Sequence, residues 1–452
     1  MHRHVWTAVV VAGLGAWGPA GAAQELRVAT FNVDATPPVG SPVAYVRARS
    51  ITDPLSARGI VLLGAGKPIV LCAVDWIGIV GSGQDLWRGE LARAAGTTPD
   101  RVAVHSLHQH DGPRCDPGAE EILAKLGLGG QFCDLPFIRD TVRRAAEAVR
   151  GAIPKARPVT HVGAGKAKVE KVASSRRILG PDGKVKYVRY SACKKPEVRD
   201  APEGLIDPYV KGVSLWENDR PLVVLSYYAT HPQSYYGKGD VTAEFVGMAR
   251  SAREKALAGL LHVHFTGAAG NVAAGKYNDG SPANRPVLAG RLAAGLEAAW
   301  KATARSPLRA DEVEWRVRPV QLPLGSHMDP KKFRAVLDDP KLDFKAKRWA
   351  ATDLAWIQRC AAGTPVELGC LRLGTVYILH MPGELFVEYQ LAAQTMRAKD
   401  TVCMAAYGEY GSSYIGTEIA YGQGGYETGP DASHVAPQTE RILMPAIREL
   451  LR

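Results

Sequence analysis

Short runs of β-branched and aliphatic residues that stop abruptly at polar, turn-forming residues recur along this chain, and they constrain its fold more than any other feature. The sharpest is Arg101-Val-Ala-Val, which runs into His105-Ser-Leu-His-Gln-His-Asp-Gly-Pro113 and reads as a buried strand spilling into a Gly-Pro turn. Leu26–Phe31, Gly59–Leu63, Pro68–Asp75, Lys211–Glu217, Pro221–Tyr228, Leu260–Phe265, Gly374–Met381 and Thr401–Ala406 read likewise. Between them the spacing turns helical, over Gln84–Ala95, Glu120–Leu128, Asp134–Ile153, Ala243–Ala258, Pro286–Thr303 and Ala436–Leu451. In Asp134–Ile153, for example, Leu135, Ile138, Val142, Ala145, Ala148 and Val149 fall on one side. Strands alternating with amphipathic helices predict an α/β protein with a mixed β-sheet core and flanking helices. No internal repeat, low-complexity tract or linker divides the chain, so one domain over 24–452 is the simplest organisation. Met328–Ala362 is charged and helical, and is the candidate insertion or cover over a site.

The first 23 residues have the pattern of a cleavable export signal. A basic start, His2-Arg3-His4, precedes an apolar stretch from Val5 to Trp17 and small residues around Ala22 and Ala23. The apolar part is too short to span a bilayer, and no later stretch is long enough, so a secreted or periplasmic protein without a transmembrane segment is expected. Seven cysteines are too sparse for a disulfide scaffold. Cys115 with Cys133 and Cys360 with Cys370 are the local pairs, either disulfides or buried thiols. With no C-x-x-C, a thiolate zinc site is not expected. The net charge of +11 favours an anionic partner. Dispersed basic residues and an exported setting argue against nucleic acid and toward anionic lipid, glycan or cell-surface material. Nothing in the sequence sets an oligomeric state.

Chemistry is expected where strands end. On an extended chain His108 and His110 face one side, which suits two ligands to one metal, one ligand with an acid–base partner, or two histidines bonded to carbonyls. His231 leaves the strand Pro221–Tyr228 before Pro232, and Glu384 follows a strand and the Pro382-Gly383 turn, where a helix is expected to begin. Two histidines and a carboxylate are a common ligand set for catalytic zinc. Asp75, at the end of an apolar strand, needs a cationic partner or a metal. His262 and His264 read as satisfied strand residues. Ser174-Ser-Arg-Arg177 reads as a solvated basic patch, and the Tyr- and Gly-rich Tyr407–Pro430 as either a binding surface or an ordered loop.

Ser106-Leu-His-Gln-His-Asp-Gly-Pro113 resembles the T-H-T-H-S-G-P stretch of the neutral, non-lysosomal ceramidases. Ala229-Thr-His231, Pro382-Gly-Glu384 and Ser413-Tyr-Ile-Gly416 resemble their second-histidine, P-G-E and G-Y-V-T segments, and Tyr426 falls at a second active-site tyrosine. The similarity spans roughly residues 27 to 430, the catalytic domain, without the β-sandwich that follows it in that family. The resemblance implies a Zn2+ ion held by His108, His231, Glu384 and Tyr414. It also implies His110 as a proton-transfer or orienting residue, Arg176 or Arg177 holding a substrate oxygen, and Tyr426 steadying an oxyanion. One departure stands out: the family carries a serine in G-D-V-S-P-N, where this chain has Ala273 in Gly270-Asn-Val-Ala-Ala-Gly275. An exported zinc hydrolase is therefore expected, with metal-activated water attacking an amide-type bond in a small-molecule, lipid or glycan substrate other than ceramide. The alternatives are a metal enzyme acting on a carbohydrate or ester, to which Lys276-Tyr-Asn-Asp-Gly280 would lend polar groups, and a catalytically silent binding relative.

Overall fold

The computed structural model describes Met1 and residues 25–452, so apart from Met1 the expected export signal lies outside the described residues. Three sheets share one interior. The first runs Val102–Ser106, Ile69–Val74, Ser56–Leu63, Arg27–Asp34 and Arg157–Pro158 in spatial order. The second runs His262–Thr266, Arg220–Tyr228, Tyr209–Glu217, His161–Lys168 and Ala304–Pro307. Val313–Val320, Val366–Leu373, Val376–His380 and Thr401–Ala405 make the third. Each sheet is mixed: one parallel pair, Ile69–Val74 with Val102–Ser106, Arg220–Tyr228 with His262–Thr266, or Val376–His380 with Thr401–Ala405, is appended to antiparallel neighbours. The α/β class with a mixed core and flanking helices is what is observed.

Sequence pattern accounts for this packing. Ile60, Leu71, Val213, Leu225, Phe265, Leu371 and Ile378, from all three sheets, form one apolar core. Each such side chain contributes roughly 1.5–3 kcal/mol when fully buried. The other sheet faces are covered by helices, among them Leu135–Ala152, which buries Ile138, Val142, Ala145 and Val149. Its start is set by Asp134, whose carboxylate accepts from the Phe137 amide at 3.1 Å. The helix expected from Glu120 begins earlier, at Pro117, because Asp116 caps it by accepting from the Ala119 amide. Asn218, with φ of 53°, makes the tight turn between Tyr209–Glu217 and Arg220–Tyr228.

The C-terminal strand ends are tied together. Ser106 N donates to Tyr407 O at 3.0 Å, Ala406 N to Thr266 O at 2.9 Å, and Thr266 Oγ1 to Leu107 O at 2.8 Å. Loops leaving all three sheets therefore meet at one place. Asp75 is held away from it by a bidentate ion pair with Arg250, both contacts 2.7 Å, and by the Ser56 amide and hydroxyl. It serves the fold. All seven cysteines are free thiols, so neither local pair is a disulfide. No helix among the described residues is long and apolar enough to cross a membrane.

Candidate metal centre

His108 lies two residues beyond its strand, and its φ of 72° breaks the extended alternation expected of His108 and His110. The two rings meet through a left-handed turn instead, with their Nε2 atoms 3.2 Å apart. A non-glycine residue there costs on the order of 1–3 kcal/mol. It is offset by the His108 amide donating to Trp76 O and by a stacked contact with Tyr407, ring centroids 4.5 Å apart.

Both metal-facing histidines are oriented by main-chain carbonyls. His108 Nδ1 lies 2.7 Å from Ile77 O, and His231 Nδ1 lies 2.7 Å from Ala269 O and 3.0 Å from Val272 O. A carbonyl only accepts, so each Nδ1 carries a proton and each ring turns its Nε2 inward, where a neutral ring offers a lone pair. Glu384 faces them, its Oε2 2.8 Å from His231 Nε2 and 3.3 Å from His108 Nε2. Glu384 is not at a helix start. Gly383, with φ of 56°, turns the chain so that Glu384-Leu385 pairs in parallel with Tyr414-Ile415, and the helix begins at Val387. Tyr410 donates to Glu384 Oε1 at 2.6 Å, leaving Oε2 for the centre.

Three acceptor atoms thus converge within 4.8 Å of one another on wholly buried side chains. A proton on an Nε2 or a metal ion among the three atoms would relieve their repulsion, and N,N,O is a donor set suited to zinc. His108, His231 and Glu384 can hold a metal ion. Tyr414 stands at the edge, its hydroxyl 3.4 Å from His231 Nε2 and 2.9 Å from Arg176 Nη1, which donates to it. Burial raises the Tyr414 phenol, with Arg176 opposing. Burial opposes ionisation of Glu384, whereas protonated His108 and His231 hold its carboxyl well below the usual carboxylate range.

The Ser174–Arg177 segment is buried rather than solvated over Ser174, Ser175 and Arg176. The cause is Glu427, fully buried, whose Oε1 lies 3.0 Å from Arg176 Nε and whose Oε2 lies 3.4 Å from Arg177 Nη1. Arg176 faces the centre, whereas Arg177 turns to Ala420 O and Gln423. Tyr426 is half-exposed at the mouth, its ring 5.5 Å from the Arg176 guanidinium carbon. Burial and then Glu384 push its phenol up to about 12, against Arg176. His110 bonds through Nδ1 to the Tyr45 hydroxyl, and burial, with His108 and His231 beside it, holds its imidazole well below the usual range.

All seven sequence-derived residues, His108, His110, Arg176, His231, Glu384, Tyr414 and Tyr426, gather here. Tyr407, Tyr410 and Glu427 lie in the Tyr- and Gly-rich tail, expected as a binding surface or an ordered loop without single roles, whereas no local pattern marks Tyr45. Ala273 is buried in the strand pair with Ser174, and its carbonyl accepts from Ser174 Oγ. Lys276, Tyr277 and Asn278 are engaged by the protein itself, donating to Ala201 O, Glu203 and Ser234 O. They lend nothing to a sugar site. His264 bonds Ser226, away from the centre.

A cavity of about 370 Å³ opens on the site. His110, Glu384, Tyr410, Tyr414 and Tyr426 line its inner part. The helices Pro330–Asp338 and Phe344–Ala361 supply Lys332, Phe333, Trp349 and Asp353 to its wall. His434 there donates from Nδ1 to Gly411 O and pairs through Nε2 with Asp353 at 3.1 Å.

No family model and no curated protein matches this chain. Solved structures do. The chain is similar to one described as ceramidase complexed with C2, with TM-score 0.67 and 17% identity over 95% of this chain and 75% of that one. It is similar to the neutral ceramidase of Pseudomonas aeruginosa with TM-score 0.67 and 18% identity over 95% and 74%. Fold and site together define an α/β protein of ceramidase fold with a His/His/Glu group able to hold a metal. The resemblance read from sequence holds at the level of the fold.

Proposed function

We propose that this protein is an exported zinc-dependent hydrolase that cleaves an amide-type bond in a substrate other than ceramide. The observation that carries the reading is the convergence of His108 Nε2, His231 Nε2 and Glu384 Oε2, each oriented by a neighbour that engages the other polar atom of the same side chain. Tyr414 is the fourth ligand in this reading. A zinc ion bound there would lower the pKa of water and polarise a carbonyl, which makes an inert amide open to attack.

The surrounding side chains have distinct tasks. His110, steered by Tyr45, holds or moves a proton at Nε2 beside the reacting carbonyl. Arg176, held by its ion pair with Glu427, orients a substrate oxygen. Tyr426, its hydroxyl near the mouth, donates to the developing oxyanion. None of these tasks needs the serine hydroxyl missing at Ala273. The cavity also supports a substrate other than ceramide, because Arg114, Lys332, Asp353 and Asp431 line it and a long hydrocarbon chain would strip water from their charges.

The test is hydrolysis of a panel of N-acyl lipids, N-acyl amino compounds and matched esters and glycosides by wild type and His108→Ala. Cleavage of amides by wild type, lost in the variant, is expected. Turnover of esters or glycosides alone would refute the reaction class.

A further inference from the structure

Arg114 follows directly on the His105–Pro113 stretch and is 6% exposed, yet among the described residues its side chain makes no hydrogen bond or ion pair. Arg348, 9% exposed on the helix Phe344–Ala361, is in the same condition. The other buried arginines are matched. Arg58, Arg176, Arg250, Arg253 and Arg285 each meet a carboxylate, and Arg189 donates to a set of backbone carbonyls. The Nε atom of each is shut off from solvent without a hydrogen-bond partner, which is costly for a guanidinium, and both guanidinium groups approach the Trp349 ring. Both are held in place by aromatic faces. The Arg114 carbon lies 5.7 Å from the ring of Phe132, 5.4 Å from Trp349 and 5.6 Å from Tyr410, and the Arg348 carbon 5.0 Å from Trp349.

The location gives the pair its meaning. Arg114 and Tyr45 line both the cavity on the metal centre and a second cavity of about 440 Å³ beside it. That second cavity is also lined by Arg47, Lys345 and Arg348 and, among the described residues, by no carboxylate. One ring, that of Tyr410, separates the Arg114 guanidinium from the Glu384 carboxylate.

We propose that Arg114 and Arg348 form an oxyanion subsite, and that the substrate of the neighbouring centre carries a phosphate, sulfonate or carboxylate group on the arm that enters the second cavity. Planar guanidinium forks match such groups bidentately, and Trp349 and Phe132 flank the approach with apolar faces. The assignment of this group to a substrate rests on the hydrolytic reading above, whereas the subsite itself does not.

Two measurements separate these layers. In the first, the full chain is dialysed against chelator, so that metal cannot bind the anion, and titrated calorimetrically with phenylphosphonate, benzenesulfonate and benzoate, with benzyl alcohol as the neutral isostere. At least one anion should bind about tenfold or more tightly than the alcohol, and Arg114→Met and Arg348→Met should each remove that preference. The three anions show which headgroup the site selects. Equal binding of all four probes by wild type, which needs no variant to fold, overturns the proposal, as does a preference that survives in both folded variants. In the second, metal-loaded enzyme is given N-hexanoyl taurine and N-hexanoyl ethanolamine, and a higher kcat/KM for the sulfonate is expected. If the anions bind but neither amide is cleaved, the hydrolytic reading fails and the subsite stands. If amides are cleaved with no anion preference in either measurement, the subsite fails and the hydrolytic reading stands.

Discussion

Tyr410→Phe removes a single oxygen and tests how the carboxylate of the centre is held. The Tyr410 hydroxyl donates to Glu384 Oε1 at 2.6 Å, which leaves Oε2 directed at the two histidines. Phenylalanine keeps the ring against His108, centroids 5.3 Å apart, and under the Arg114 guanidinium, so packing is preserved and only the hydrogen bond is lost. A hydrogen bond to a charged group contributes about 1.5–3 kcal/mol, and loss of such a supporting bond behind a ligand typically lowers metal affinity about 10- to 100-fold. Zinc affinity of the full chain, read by competition with a chromophoric chelator, should fall by that factor while the circular dichroism spectrum stays unchanged. Tyr407→Phe is the matched control. Its hydroxyl is buried with no hydrogen-bond partner among the described residues and its ring stacks on His108, so zinc affinity should be unaltered. Equal zinc affinity in wild type and Tyr410→Phe, or an equal loss in both variants, would refute the reasoning.

Three further substitutions probe the frame around the site. Asp75→Asn breaks the buried pair with Arg250 and leaves an uncompensated guanidinium, so urea unfolding should show a loss of about 3–5 kcal/mol; a loss below 1 kcal/mol would show that the pair is dispensable. Gly270→Ala places a methyl group 2.1 Å from Glu384 O, a main-chain atom that can yield only by shifting the bridge that carries the ligand. Metal content should drop with secondary structure retained, and full metal occupancy in the variant would contradict this. Burial raises the Asp116 carboxyl from 3.8 to about 7, so between those pH values the folded chain holds a proton that the unfolded chain has released, and this group's contribution to stability falls as pH rises. Asp116→Asn keeps the helix cap and lacks that titration. Its stability relative to wild type should increase from pH 4 to pH 7 and then level off, and a difference that does not change with pH would sink the assignment.

The strands were legible because β-branched runs bounded by turns have few alternatives, and the amphipathic helices because their apolar spacing is long and regular. How the strands divide into three sheets is set by pairings between distant segments and left no local mark. For the site, His108, His231 and Glu384 could be picked out because each leaves a strand end, where the fold brings loops together. Their geometry could not. The left-handed turn at His108 replaces the simple alternation, and Gly383 turns Glu384 into a bridge with Tyr414 instead of into a helix. Ser174–Arg177 looked like surface because its polarity is local, whereas its partner Glu427 is 250 residues away from Arg177. Asp75 is explained by Arg250 across 175 residues. Arg114 escaped notice for the converse reason: what sets it apart is the lack of a partner, which only the folded chain displays.

The central claim is that His108, His231 and Glu384 hold a metal ion, and the metal content of the purified full chain tests it most directly. Wild type, isolated without chelator and offered zinc before desalting, should retain stoichiometric zinc by mass spectrometry, and His108→Ala, His231→Ala and Glu384→Gln should each lose it. A folded wild-type chain without stoichiometric metal, or variants that keep it in full, would contradict the account.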